Sequence, residues 1–222
     1  VRPQVIKNYA EGNVDKMYVM TFYAAKFSYI LMLALVVPIM YEIRFILGIW
    51  LGDAVPDETA LFAVIVLITY TWRTFHIAAL MPYHAIGKIK TGNITIGTLM
   101  IATLPMGYVL FRLGCPAYTV FLAIFAVEIV GMFAIYWLIH RYEYFPYRYV
   151  FTKILLPCGL VTLCTIILPT LITNLMEDGW CRLFTVGFST EISLLLSALY
   201  LGLNKEERTR FFSFIQNKLK HQ

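Results

Sequence analysis

Residues Phe22–Tyr41 read FYAAKFSYILMLALVVPIMY, twenty positions with a single charge, Lys26. A helix rises about 1.5 Å per residue, so twenty residues cross the roughly 30 Å hydrocarbon layer of a bilayer. Five further stretches of similar length and apolarity follow: Leu61–Met81, Ile94–Leu113, Tyr118–His140, Val150–Thr173 and Leu183–Leu203. In lipid only helices and closed barrels satisfy every backbone polar group, and none of these runs alternates with period two. The sequence therefore predicts an all-α, polytopic membrane bundle of six transmembrane helices.

Composition agrees. The chain is 60% hydrophobic and 14% charged, with a mean hydropathy of +0.73. A soluble domain carries about a quarter charged residues. The net charge of +5 would suit nucleic acid, but its distribution argues for orientation instead. Thirteen of the eighteen Lys and Arg fall before span one or after spans two, four and six, whereas the alternate connections hold Arg44, Arg112 and Arg182. By the positive-inside rule both termini are expected in the cytoplasm, a placement that requires an even number of spans, and six is even. Nucleic-acid binding is not expected.

Three regions are predicted: residues 1–19, an inner-face loop with an amphipathic lead-in; residues 20–203, the six-helix lobe; and residues 204–222, an amphipathic tail on the anionic inner leaflet. Glu42–Gly52 continues a helical apolar rhythm beyond span one, and Gly48 with Gly52 forms a GxxxG pair suited to close helix approach. Span two is read as ending at Pro82, and Leu113–Pro116 is short enough to make spans three and four antiparallel neighbours. Prolines at 105, 157 and 169 fall inside spans, where they bend helices. The four cysteines lack metal-site spacing. Cys115 and Cys181 fall at the outer face and either pair or stay as thiols.

Five ionisable residues lie within the spans and away from their ends: Lys26, Arg73, His76, Glu128 and Glu191. A central charge costs about 2.5–3.5 kcal/mol on insertion scales, so each needs a cavity, a partner or a route to the surface. Lys26 lies near the inner end of span one, where its stem can snorkel to the headgroups or its ammonium can face a cavity. Arg73 is deeper, and His76 lies one turn along on the same face. Together they offer cationic donors to an anion such as a diphosphate, or Arg73 pairs structurally with Glu128 or Glu191. The two carboxylates, central in spans four and six, either carry protons or a coupling cation, or are hydrogen-bonded to neighbouring helices. No GxSxG, HExxH, P-loop or GxGxxG motif occurs, so neither an enzyme nor a cofactor or metal site is expected.

Three segments carry a family resemblance: PQVIKNYAEGN at 3–13; ILGIWLGDAVP at 46–56 with AIGKIK at 85–90; and GLNKEER at 202–208. In this order and spacing they resemble the C-terminal half of bacterial polysaccharide-repeat-unit flippases, within the multidrug/oligosaccharidyl-lipid/polysaccharide exporter superfamily. The resemblance implies one lobe of a two-lobe transporter in the bacterial cytoplasmic (inner) membrane. It implies ion-coupled alternating access that moves an undecaprenyl-diphosphate-linked oligosaccharide for lipopolysaccharide or other surface polysaccharide, with polymerase machinery as a further partner. On that expectation Arg73, Lys26 and His76 hold the diphosphate and Glu128 and Glu191 couple the ion. The chain is then a C-terminal fragment whose cavity needs the missing N-terminal lobe or a partner chain. A drug or metabolite exporter of the same superfamily and a non-transporting membrane subunit are the rival expectations.

Overall fold

A computed structural model describes residues 1–52, 55–56 and 58–202. Nine α-helices occur among these residues: α1 Arg2–Ala10, α2 Val14–Tyr41, α3 Ile43–Leu51, α4 Thr59–Ala85, α5 Ile89–Arg112, α6 Tyr118–Tyr142, α7 Tyr147–Val150, α8 Leu156–Leu175 and α9 Trp180–Ser197. A π-helical turn, Phe151–Leu155, joins α7 to α8, and another, Ala198–Gly202, prolongs α9. The first of these stands just ahead of Pro157. That proline lacks an N–H and crowds the carbonyl four residues back, and a wider turn accommodates both.

Among the described residues six helices are long and apolar enough to span a bilayer: α2, α4, α5, α6, the continuous Tyr147–Leu175 and Trp180–Gly202. The protein is a multi-pass membrane helical bundle. Every span except α6, which begins with its apolar run at Tyr118, starts before that run, because polar residues flank the lipid-facing segment without breaking the helix. The opening segment is likewise more ordered than a loop, since α1 forms there and packs on α2 and α4 through the fully buried Val5. Pro82 does not end α4; the helix runs on to Ala85, and Gly87, at φ +81°, makes the reversal into α5. Gly114, at φ +76°, turns α5 into α6, which pack together as expected. The tail from residue 204 onward lies outside the described residues.

Connectivity gives the bundle two ends. The near end holds α1 and the α4–α5 turn, and the far end holds α3 and the α5–α6 and α8–α9 turns. Helix α2 is the hub, packing on α4, α8 and α9, while α4 packs on α6 and α6 on α5. Most of the core gathers at the near end, where Tyr18, Phe22, Tyr136 and Phe145 interlock as stacked and edge-on rings. A smaller core of Leu33, Val37, Val161 and Leu194 ties α2 to α8 and α9. Between these helices the far half leaves a cleft of about 490 Å³.

Candidate functional site

Arg73 and His76 are three residues apart on α4, and Glu128 and Gly131 are three apart on α6, so each pair shares one helical face. The two faces meet. His76 Nδ1 lies 2.6 Å from Glu128 Oε2, and Arg73 Nε lies 3.6 Å from Glu128 Oε1. Two basic groups thus share one carboxylate. Arg73 is fourteen residues from the start of α4 and twelve from its end (73 − 59 and 85 − 73). By helical rise that is about 18–21 Å from either end, near the middle of the span.

The three side chains differ in exposure, and the difference decides what each can do. Glu128 is 3% exposed and His76 is buried, whereas the Arg73 side chain is 37% exposed. With Glu128 ionised its oxygens only accept, and the Nδ1–H of His76 donates the hydrogen bond between them. Nε2 of His76 is buried with no hydrogen-bond partner in the described residues. The imidazole has room because position 131 is glycine: a Cβ there would stand 3.1 Å from His76 Cε1. Arg73 approaches Glu128 through Nε and lies 5.6 Å from the Tyr70 ring centroid. Its guanidinium has five N–H donors in a fork, and the Glu128 contact engages one edge of that fork.

Arg73 projects away from the far-half cleft. On α4 the cleft is lined by Val64, Ile68, Thr71 and Trp72. At 3.6 residues per turn, position 73 falls roughly opposite positions 64 and 71. The exposed Tyr70 and Ile77 lie on the same outward side as Arg73.

The other expected site residues fare differently. Lys26 is 1% exposed, so its ammonium does not snorkel to the headgroups; the side chain is engaged rather than free. The reason is local, since position 26 falls on the buried side of α2 with Phe22 and Leu33. Glu191 is half-buried midway along α9, and among the described residues no hydrogen bond or ion pair reaches it. Its carboxylate is not part of the Arg73–His76–Glu128 cluster. All four cysteines are thiols, Cys115 and Cys181 included. Neither Gly48 nor Gly52 has a described atom within 4 Å of where a Cβ would stand, so among the described residues the GxxxG pair mediates no close helix approach. Among the described residues no group of His, Cys, Asp and Glu could hold a metal ion.

A second ionic cluster escaped the sequence reading. Arg182, expected in a connection between spans, lies in the first turn of α9 and is buried. Its Nε and Nη2 donate to the two oxygens of Glu42 at 2.9 and 3.0 Å, and Asp178 pairs with Nη1. Glu42 is 0% exposed and sits at the corner between α2 and α3. One signal was available: Glu42 stands beside Arg44 in the otherwise apolar stretch from Tyr41 to Ile46, and a carboxylate that such a stretch buries needs a partner.

Comparison with protein-family models, with curated proteins and with solved structures finds no match to this chain.

Proposed function

We propose that this chain is one lobe of a transporter that moves an anionic, lipid-linked oligosaccharide across a bacterial inner membrane. In this reading Arg73 attracts the diphosphate and Glu128, through His76, handles the coupling proton or cation. The positive-inside bias of the sequence supports placing both termini in the cytoplasm.

One observation carries the proposal: an arginine at mid-depth whose side chain remains 37% exposed. Its carboxylate partner is already shared with His76, at an Arg73 separation of 3.6 Å, longer than a hydrogen bond. A part-exposed arginine side chain facing acyl chains is costly, so that side of α4 is expected to meet water or a second lobe. A face of that kind, with guanidinium donors unspent, is what an alternating-access carrier needs to receive a phosphate-bearing substrate.

The test is export of surface polysaccharide from cells carrying Arg73→Ala, at matched membrane levels of the protein. Strong loss of export, with partial rescue by Arg73→Lys, is the expected result. Export equal to that of the unaltered protein would remove Arg73 from the mechanism. Glu128→Gln should abolish the dependence of export on the ion gradient; persistence of that dependence would remove the coupling role.

A further inference from the structure

We propose that the far-half cleft seats one hydrocarbon chain of a phospholipid from the adjacent leaflet. The cleft holds about 490 Å³ between α2, α4, α6 and α8, and Leu33, Val36, Met40, Val64 and Phe125 give it apolar walls. That size lies within the range of about 300–1,000 Å³ typical of ligand pockets. The cleft is open to the exterior beside Ile68, which is 40% exposed.

Its polar groups are already satisfied, and this selects an apolar occupant. The hydroxyls of Thr71 and Thr162 donate to the carbonyls of Leu67 and Cys158, and Tyr29 pairs with Thr162 at 2.8 Å. The indole N–H of Trp72 lacks a partner, but it has no accessible surface and is not presented to the cleft. Water entering here would find few hydrogen bonds, so a void at this depth fills with hydrocarbon.

The dimensions identify the source of that hydrocarbon. Along α2 the lining runs from Tyr29 to Tyr41, about 18 Å by helical rise. One leaflet supplies about half of the roughly 30 Å hydrocarbon core, so the cleft is about one chain long. At its far rim Tyr41 and Thr170 hydroxyls pair, the amphipathic chemistry favoured at headgroup level. Among the described residues no charged side chain lines the cleft, and by helical spacing position 73 falls on the other side of α4. A resident phospholipid with its headgroup at the far surface fits that layout; an anionic carrier held at mid-depth does not.

The experiment uses the whole chain in vesicles of phosphatidylethanolamine and phosphatidylglycerol, with a trace phosphatidylglycerol bearing a mid-chain diazirine. Peptide mapping after illumination should find labels concentrated on Met40, Ile68 and Ile166 over the lipid-facing surface of α5. The double variant Ile68→Trp/Ile166→Trp, which fills the cleft from partly exposed positions, should lose these labels several-fold. Leu104→Trp on the exposed face of α5 should not alter them. Uniform labelling, cleft labels unchanged in the double variant, or cleft labelling by a polyprenyl phosphate probe alone would each overturn the proposal. Should the double variant fail to fold, native mass spectrometry of the unaltered protein decides. One retained phospholipid per chain after dilution into detergent supports the seat, and none refutes it.

Discussion

The bundle holds two acid–base clusters built from the same side-chain types with opposite consequences. At the far end Arg182 is forked onto Glu42 by two hydrogen bonds, with Asp178 beside it and Glu42 fully sealed. At mid-depth Arg73 stands 3.6 Å from Glu128, shares it with His76 and remains part-exposed. The first arrangement spends its donors on the protein itself. It fastens the α8–α9 turn to the corner between α2 and α3, and Tyr41 adds bonds to Ile166 and Thr170 of α8. The second leaves donors over. Charge in a membrane helix is therefore a poor guide to function until its remaining hydrogen-bonding capacity is counted.

The clamp should respond most strongly to substitution. Arg182→Met leaves the Glu42 carboxylate buried and unpaired, which should lower stability by about 3–5 kcal/mol, whereas replacing both partners by apolar residues should recover most of it. Thermal unfolding in detergent reads both. A double variant as unstable as the single would show that the cluster does more than hold the far end together. At mid-depth the expectation reverses. Arg73→Ala removes charge-assisted hydrogen bonds worth about 1.5–3 kcal/mol to an anionic substrate, a loss of about ten- to a hundredfold in transport. Its effect on stability should stay within about 1 kcal/mol, as for other part-exposed pairs. If unfolding shifts as far as for Arg182→Met, Arg73 belongs with the clamp.

Two milder substitutions calibrate the scale. Tyr29→Phe removes a 2.8 Å bond to Thr162 while leaving that hydroxyl bonded to Cys158, and should cost about 0.6 kcal/mol, the average for interhelical bonds in a membrane. Glu191→Gln should move stability by no more than about 0.5 kcal/mol, because no described residue pairs with its carboxylate. A larger loss would mean that Glu191 has a structural partner, and would place it on the clamp side of the comparison.

The fold was legible because its signal is additive. Twenty apolar residues outweigh the single charge of Lys26, and the Leu113–Pro116 turn is too short for anything but an antiparallel pair. The mid-depth cluster was legible in part. Arg73 with His76 follows from helical spacing on one strongly apolar segment, but its choice of Glu128 over Glu191 depends on which helices touch. Helix order around a bundle is set by packing between segments distant in sequence, which no local period encodes. The Glu42–Arg182 clamp was missed for a related reason: residues flanking a span look like loop residues until the helix is seen to continue through them. Lys26 shows the converse, a side chain long enough to reach the surface that is instead turned inward by its position beside Phe22 and Leu33.

Gly131 ties two positions of the chain to a common fate. Any side chain at 131 presses on the His76 ring, which would have to shift to admit it, so while the imidazole is kept in this place glycine is favoured opposite it. A lineage that lost His76 would be released from that restriction, and Ala or Ser could then drift into position 131. Paired substitution at 76 and 131, 55 residues apart in sequence (131 − 76), is the evolutionary footprint this contact should leave.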